Sequence, residues 1–428
     1  MANTTVAGPK AETEHVLGSP MAWWIWALAV IFVVFLFSFQ TGYAIVNSNV
    51  QQDIGLTVSQ VGTIAAVYTW AFAICQFFGG ALLDRLGSRK VLPISIALVT
   101  IGIFLFANAN SFGMLLLSQV VVAIGSCTGF VGAGYIGGKW FGMAKFSFMF
   151  GLVQVVAALT SAFSQNLIGV ALSSMSWRYL FNATAVLGII LLVLGAIYIK
   201  DPVPVASHKD EENFFASVIR SLVEVAKIGH VWIASIVGAL LFGALLALGV
   251  VWAPKLLMVH GLSETSANLG ASMLWLGLAA GSAVVPHWSD KIRRRKLPII
   301  LGSIVQLLAM LGLLYIPNLG AAAAIVLCFI FGFANASHML AFSTAADVVQ
   351  PYQIGTSAAI VNGIMFIFGG ILISRPGVRI GIGLEEGIAP ASLELAQFAA
   401  LPLVVALVMA AVVSFIMKET YPAATAGH

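Results

Sequence analysis

The stretch Gly80-Ala81-Leu82-Leu83-Asp84-Arg85-Leu86-Gly87-Ser88-Arg89-Lys90 separates two long apolar runs. The first run ends at Asp84, and Arg85, Arg89 and Lys90 follow within two helical turns. A carboxylate at a membrane boundary is tolerable when it is paired or caps the N-terminus of an adjacent helix. The stretch therefore predicts a short charged loop that joins two membrane-crossing helices.

The same pattern returns 206 residues later, where Asp290-Lys291-Ile292 corresponds to Asp84-Arg85-Leu86 and Arg295-Lys296 to Arg89-Lys90. Gly55-Leu56-Thr57 and Gly261-Leu262-Ser263 keep this offset in a separate patch. A shared offset predicts two halves of like topology, related by an axis along the membrane normal. In such folds the substrate site lies near the bilayer midplane, between the halves.

Composition excludes a water-soluble protein. Of the 428 residues, 60% are hydrophobic and only 8% are charged, whereas soluble domains carry about 25% charged residues. The net charge of +4 does not indicate a nucleic-acid partner, because the basic residues occupy short loops between apolar runs. We read Cys75, Cys127 and Cys328, which lie in such runs, as packing residues rather than disulfide or metal ligands.

Twelve apolar runs are long enough to cross a hydrocarbon core of about 30 Å. The predicted fold is an all-α integral membrane protein, with twelve transmembrane helices in two pseudo-symmetric six-helix bundles. The predicted spans are 22–48, 58–83, 91–109, 112–137, 146–172, 178–199, 231–256, 264–288, 297–316, 321–346, 355–375 and 391–417. The bundles cover 22–199 and 231–417, with a central loop at 200–230 and tails at 1–21 and 418–428.

Basic residues predict the orientation. Sixteen of the 20 Lys and Arg residues fall on the side that holds both tails, and the other side has only Arg178, Lys255, Arg375 and Arg379. This bias predicts that both termini are cytoplasmic. The first twenty residues lack the basic-then-apolar order of a cleavable signal, and the short tails and loops favour a bacterial inner (plasma) membrane.

The central loop contains a candidate surface helix. Its apolar residues recur at helical spacing, and charged residues lie between them; the apolar set is Phe214, Phe215, Val218, Ile219, Leu222 and Val225. We expect an amphipathic helix along the inner membrane face. A loosely ordered linker is the alternative.

Residues 80–90 resemble the signature loop between helices two and three of the major facilitator superfamily. Trp177-Arg178-Tyr179-Leu180-Phe181 and Trp140-Phe141 are similar to two further features frequent in that family, and the resemblance covers about the whole chain. It implies that the loop acts in conformational switching and does not touch substrate, although anchoring by positive charge is compatible. The implied latch residues are Gly80, Asp84, Arg85, Gly87, Arg89 and Lys90, with Asp290, Lys291 and Arg295 in the second copy.

Two departures from the family pattern bear on function. Many members carry an arginine in helix four, where the nearest residue here is Gln119, and this weakens a standard proton-relay mechanism. The Gly-Pro motif of many drug/proton antiporters is missing from 149–172, which disfavours multidrug efflux. The chain looks more similar to the branch that takes up organic anions.

Polar side chains at membrane depth predict the substrate site, because they should face a cavity or one another. Gln40, Tyr43 and Asn47 share one face of the first span, and Asn335 and His338 lie three residues apart in the tenth. The family resemblance implies that helices one, four, seven and ten line the cavity. The other candidates are Tyr68, Gln154, Trp252, Trp275 and Asn362. Hydrogen bonding within one half is the alternative for each.

Proton coupling and anion attraction have separate candidates. His338 is the one central residue that titrates near neutral pH, because the acidic residues fall at span ends or in loops; Asp53 is the second candidate. The alternative for His338 is a neutral ring that donates to a carbonyl. Lys255 and Arg375 are expected at the outer mouth, where they attract an anion or serve as interfacial anchors.

These observations favour a secondary active transporter that moves a small polar solute, an organic anion, by alternating access with proton-coupled import. A proton-driven exporter and a transport-dead membrane sensor are the alternatives. We do not expect an enzyme, because the sequence has no nucleotide-binding Gly-Lys-Ser/Thr loop, metal-spaced histidines or serine triad. The expected partners are a small-molecule substrate, protons and the lipid bilayer, for a monomer without cofactor, metal or nucleic acid.

The topology can be tested by cysteine labelling. We expect cysteines at Ser88, Asp210 and Arg294 to react only from the cytoplasmic side, and one at Gly387 only from outside. Labelling of position 294 from outside would contradict the six-plus-six assignment.

Overall fold

The structure is a computed structural model, and it describes residues 17–202 and 214–421. Residues 1–16 and 422–428 of the predicted tails, and residues 203–213 of the central loop, lie outside the described residues. The described residues form sixteen α-helices and no β-strand. The helices are α1 Pro20–Ile54, α2 Val58–Leu86, α3 Ser88–Ala107, α4 Phe112–Ser126, α5 Gly129–Phe141, α6 Phe146–Leu172, α7 Trp177–Tyr198, α8 Phe214–Ala226, α9 Gly229–Ala247, α10 Ala253–Val259, α11 Glu264–Ile292, α12 Lys296–Tyr315, α13 Ala321–Asn335, α14 Leu340–Ala346, α15 Ile354–Glu385 and α16 Leu393–Ile416.

Twelve segments of the described chain are long and apolar enough to cross a membrane, so the predicted fold class is confirmed. Spans 4, 7 and 10 contain two helices each, namely α4–α5, α9–α10 and α13–α14. Helix α8 lies in the central loop, and each remaining span is one helix. We call α1–α7 the N-terminal half and α9–α16 the C-terminal half.

Local sequence signals set the ends of these helices. Gly55 ends α1 in the left-handed region at φ 75°, a conformation that costs glycine little. The Thr57 hydroxyl then accepts from the Gln60 N–H, and the Gln60 side chain accepts from the Thr57 N–H. This reciprocal capping box starts α2 at Val58.

Spans 4, 7 and 10 are interrupted near their middles, although the sequence predicts one continuous helix for each. In span 7, Leu248–Trp252 form a π-helical turn just before Pro254, which has no N–H to donate to the Val250 carbonyl. In span 10, Ala336–Met339 form a 3₁₀ turn. There the His338 ring bonds the Asn335 carbonyl at 2.7 Å and competes with the helical ladder.

Span 11 is longer than predicted. The sequence places its end at residue 375, but α15 continues to Glu385, so the expectation that Arg375 ends the helix is wrong. Contact with α16 holds Arg379 of this extension: its Nε donates to the Phe398 carbonyl at 2.6 Å, and the guanidinium lies 3.8 Å from the centre of the Phe398 ring. Pro376 lies inside α15.

Helix α8 lies where the sequence predicts an amphipathic helix, and it packs against α2, α9 and α15. Its buried residues include Val218, Ser221 and Val225, while Ile219 is exposed. Hydrogen bonds tie it to both halves, since Arg85 donates to the Ser217 carbonyl and Gln353 donates to Glu224. The helix therefore bridges the halves rather than only coating a membrane surface.

We call the side where α1 begins and α16 ends the terminal face, and the opposite side the far face. The Gly18 N–H donates to the Trp140 carbonyl, and the Trp140 indole donates to the Lys200 carbonyl. Asp201 in turn accepts from the Ser88 hydroxyl. Ser88 is buried, which makes it a poor labelling site, whereas Arg294 on the same face is exposed.

Glycines bring the two halves into backbone contact on the terminal side. A Cβ on Gly80 of α2 would lie 1.8 Å from the Gly355 carbonyl oxygen of α15. In the second helix pair, a Cβ on Gly151 of α6 would lie 2.4 Å from the Ser282 carbonyl oxygen of α11. Only glycine permits such an approach, so these two pairs hold the terminal side closed.

We expect Gly80→Ala to open the terminal side, because the added methyl group cannot fit against Gly355. Alanine also favours the helix more than glycine does, so a loss of helix propensity cannot cause the effect. Spin labels at the exposed Lys145 and Lys291 should move apart in double electron–electron resonance. Gly113→Ala, at a position with open space around it, is the control. An unchanged distance in the Gly80 variant would contradict the packing argument.

Candidate functional site

A cavity of about 400 Å³ lies between the two halves, near the middle of the spans. Spans 1, 2, 4 and 5 line one side of it, and spans 7, 8, 10 and 11 line the other. The lining residues are Leu36, Phe37, Gln40, Phe72, Ser126, Phe130, Gln154, Ala157, Ala158, Ser161, Phe242, Leu246, Gly249, Val250, Trp275, His338, Phe342, Asn362, Met365 and Phe366. The interruptions of spans 4, 7 and 10 all border this cavity.

Three aromatic rings form the terminal-side floor of the cavity. Phe342 packs against Phe150 and Phe130 with ring centroids 4.5 and 6.0 Å apart. Closer to the terminal face, Ser147 of α6 hydrogen-bonds to Ser343 of α14. Since these contacts join the two halves, the cavity lies on the far-face side of a closed region.

Five of the ten predicted substrate-binding residues meet in this cavity. They are Gln40, Gln154, Trp275, His338 and Asn362. Among the described residues that line the cavity, none is Asp, Glu, Lys or Arg. The site thus offers neutral hydrogen-bonding groups set among aromatic walls, and His338 is the titratable group.

The hydrogen bond of His338 fixes the state of its ring. The Nδ1 lies 2.7 Å from the Asn335 carbonyl oxygen. A carbonyl can only accept, so Nδ1 carries a hydrogen, and in the neutral ring Nε2 is then unprotonated. The ring stacks on Phe242 at 4.7 Å between centroids. This arrangement fits the alternative of a neutral, donating histidine, and it leaves Nε2 as the atom that a proton would bind.

The other five predicted residues do not line the cavity in this structure. The Tyr43 hydroxyl donates to the Val61 carbonyl, and the Trp252 indole donates to the Ile373 carbonyl. Asn335 donates to the Leu241 carbonyl at 2.6 Å. These groups form hydrogen bonds within one half, which was the alternative for each. Tyr68, which stacks on Phe72, and Asn47 also lie outside the lining.

Sequence reasoning missed Gln76. This side chain of α2 is fully buried, and its Oε1 accepts from the Asn362 amide at 3.0 Å across the two halves. The Gln76 Nε2 has no hydrogen-bond partner among the described residues. The available signal was a glutamine at membrane depth, the same signal that predicted Gln154.

Asp84 joins the halves at the terminal face. Its carboxylate accepts from the Gly355 N–H at 2.9 Å, the Thr356 N–H at 2.7 Å and the Thr356 hydroxyl at 2.8 Å. Asp84 therefore caps the N-terminus of α15 from the other half, where the helix dipole favours negative charge. This geometry requires the backbone approach of Gly80.

The other residues of the first loop organise the surroundings of Asp84. Gly87 has a left-handed φ of 76° between α2 and α3. The Arg89 N–H donates to Asp201, and Arg85 donates to a carbonyl of α8. Lys90 is exposed.

The second copy of the loop forms most of its contacts within the C-terminal half. Buried Arg295 pairs with both Asp290 and Asp347, and its N–H donates to Glu419. Burial raises the pKa of Asp347 to about 6, although the Arg295 guanidinium lies 3.3 Å away. Lys291 is exposed. The second copy thus anchors the chain after α16, and Asp290 also lies at the Phe148 N–H at the start of α6 in the other half.

The remaining predicted residues lie away from the cavity. Asp53 forms a far-face ion pair with Arg178 at 2.9 Å, so its carboxylate is already compensated there. Arg375 is exposed on α15, and Lys255 lines a second pocket. The structure therefore does not bring the proposed anion-attracting pair together at the mouth of the central cavity.

Comparison with known proteins identifies the family. The family described as Major Facilitator Superfamily matches residues 9–374. The chain belongs to this superfamily. The twelve candidate membrane spans make it a multi-pass membrane protein of this family, and the resemblance seen in residues 80–90 is confirmed.

Curated relatives match this facilitator over part of their length. "Probable galactarate/D-glucarate transporter GudP" of Bacillus subtilis is 25% identical over 47% of this chain and 44% of its own. "Probable sulfoacetate transporter SauU" of Cupriavidus necator is 26% identical over 36% of this chain and 35% of its own. "Quinolone resistance protein NorA" of Staphylococcus aureus is 29% identical over 35% and 39%. The chain thus matches less than half of each relative.

Solved structures share the fold over nearly the full length. The proton:xylose symporter XylE superposes with a TM-score of 0.68 at 15% identity, covering 94% of this chain and 96% of that one. A bacterial homologue of the human lysosomal transporter Spinster gives 0.61 at 18% identity, covering 94% and 98%.

We expect Asp84→Asn to lower the transport rate far more than the substrate affinity. The amide loses charge-assisted hydrogen bonds to α15, each worth about 1.5–3 kcal/mol, which shifts the balance away from the closed terminal side by roughly 10- to 100-fold. Initial rates and equilibrium binding in liposomes measure the two quantities. Asp290→Asn, at a carboxylate that pairs chiefly with Arg295 of its own half, should shift the balance less. A normal rate with weakened binding would contradict the assignment.

Proposed function

We propose that this facilitator is a gradient-driven secondary transporter that imports a small organic monoanion by alternating access. The proposal rests chiefly on one observation: a central cavity of about 400 Å³ lies between the two halves, and the contacts described above join the halves on its terminal side. Gradient coupling is favoured because the sequence has no nucleotide-binding motif.

Alternating access requires a closed side that can open. The contacts that close the terminal side include the Asp84 cap, the Ser147–Ser343 bond, the Gln76–Asn362 bond and the packing of Phe342 against Phe150 and Phe130. If the terminal face is cytoplasmic, as its basic residues favour, a cavity closed on that side would accept substrate from outside. Breaking these bonds would expose the cavity to the cytoplasm.

The cavity chemistry supports a monoanion with an apolar body. Its volume falls in the range of about 300–1,000 Å³ that is usual for small-molecule sites. Amide groups of Gln40, Gln154 and Asn362 supply donors for one carboxylate, while the phenylalanine walls favour an apolar remainder. Without a lining Lys or Arg, a second negative charge would remain uncompensated. The relatives named for galactarate, D-glucarate and sulfoacetate support an organic anion in general. Each of those compounds has two acidic groups, so the single charge is argued from the lining of this cavity alone.

His338 is the proposed proton site. Protonation of Nε2 would turn the ring into an imidazolium inside the cavity, and this charge would attract the substrate anion. Release of the proton on the other side would weaken binding there, which couples the two movements. Asp53 is a weaker candidate because Arg178 already pairs with it.

Export of apolar compounds is the second candidate function. The aromatic walls of the cavity and the similarity to NorA favour it. A thermal-shift panel separates the two: monocarboxylates should stabilise the purified facilitator more than their dicarboxylate and neutral amide counterparts. Preferential stabilisation by lipophilic cations would instead support the exporter. The best ligand is then tested for uptake into liposomes under an inward proton gradient.

We expect His338→Gln to separate exchange from accumulation. Glutamine can still hydrogen-bond but cannot titrate, so exchange of labelled substrate should survive while proton-driven accumulation fails. Paired counterflow and pH-driven uptake in liposomes measure both. His260→Gln is the matched control, because His260 bonds the Leu313 carbonyl outside the cavity. Wild-type accumulation and pH profile in His338→Gln would exclude this residue as the proton site.

A further inference from the structure

A second cavity of about 410 Å³ lies near the far face, wholly within the C-terminal half. Helix α10, the outer part of α15 and the start of α16 form its walls. The walls are apolar, with Leu256, Pro376, Leu395 and Leu403 among them, and Lys255 supplies the cation.

Trp252 separates this cavity from the substrate site. Its indole N–H donates to the Ile373 carbonyl of α15, and Gly377 lies against the ring. The two cavities share no lining residue. A molecule in the second cavity would therefore not occupy the transport path.

Lys255 is a cation without an acidic partner. Its ammonium lies 4.7 Å from the centre of the Trp252 ring, and no carboxylate among the described residues lies within ion-pair distance of it. The nearby acidic residues Glu385, Glu386 and Glu394 are exposed and do not line the cavity. The pocket thus combines an apolar interior with one uncompensated positive charge at its border.

On the far face, the described basic residues without an acidic partner lie in the C-terminal half. Of the four far-face basic residues, Arg178 pairs with Asp53, and the other three lie on α10 and α15. The far ends of α1 and α6 carry no basic residue. Of these three residues, Lys255 lines the pocket, whereas Arg379 is held by the Phe398 carbonyl and ring.

We propose that this pocket binds an anionic phospholipid of the far-face leaflet, with an acyl chain between α10 and α16 and the phosphate at Lys255. Charge complementarity supports this occupant, since an apolar slot beside a single cation matches an acyl chain beside a phosphate. A Trp–Lys pair at the end of a span is also typical of the headgroup level. Met258 and Leu401, both exposed, flank the pocket with apolar surface that a bilayer would cover.

The test uses phosphatidylglycerol with a photoreactive diazirine in its acyl chain, in nanodiscs that hold the full-length protein. After irradiation, peptide mass spectrometry should find labels in residues 395–403. Labelling should exceed that by the matching phosphatidylcholine by about 5-fold, the factor expected for one Lys near an anionic headgroup. Lys255→Gln should remove this preference, Lys255→Arg should keep it, and Lys145→Gln on the terminal face should leave it unchanged.

A filling variant tests the slot independently of charge. Ala396→Phe places a ring in the pocket, so it should reduce labelling of 395–403 by both lipids while thermal stability shows that the protein remains folded. Equal labelling by the two lipids, or a preference that survives Lys255→Gln, would overturn the proposal. Stronger labelling by a diazirine fatty acid at the same mole fraction would also overturn it and assign the pocket to free carboxylates.

Discussion

The closed side of this protein depends on one carboxylate that caps a helix belonging to the other half. Asp84 lies at a depth where an unpaired charge is costly, and the three donors that satisfy it all belong to the first turn of α15. The cap requires contact between Gly80 and the α15 backbone, and α8 covers the same junction through Ser221 and Thr356. Separation of the halves would therefore expose three groups at the same time: the Asp84 carboxylate, the N-terminus of α15 and the buried face of α8. Such linked contacts favour two discrete arrangements over intermediate ones.

Much of the fold follows from the sequence because hydropathy and loop charge act over whole segments. The twelve spans are examples, and so is the capping box at Thr57. The site is predicted less completely, because a polar residue at membrane depth has two ways to be satisfied. Gln154 and His338 face the cavity, whereas Asn335 is satisfied by a carbonyl of its own half. The three-residue spacing of Asn335 and His338 is the same whether a side chain faces the cavity or bonds within its own half. Only the positions of the neighbouring helices decide which of the two occurs.

The interrupted spans show a second limit. A window of apolar residues predicts that a segment crosses the membrane. It does not predict where the regular backbone hydrogen bonds of the helix are interrupted. The π turn at Leu248–Trp252 has a visible cause in Pro254, and the 3₁₀ turn at Ala336–Met339 has one in the His338 ring bond. Both turns lie beside the central cavity. There, backbone groups released from the ladder remain tolerable because they border a cavity instead of lipid.

The two copies of the charged loop divide their contacts differently between the halves. Around Arg295, two carboxylates and the segment after α16 form a network inside the C-terminal half, and Asp290 of that network also lies at the Phe148 N–H of the other half. Asp84, by contrast, has all three of its hydrogen-bond donors across the boundary. When the halves part, Arg295 would therefore keep both of its acidic partners, whereas Asp84 would need new donors from water or from another part of the protein.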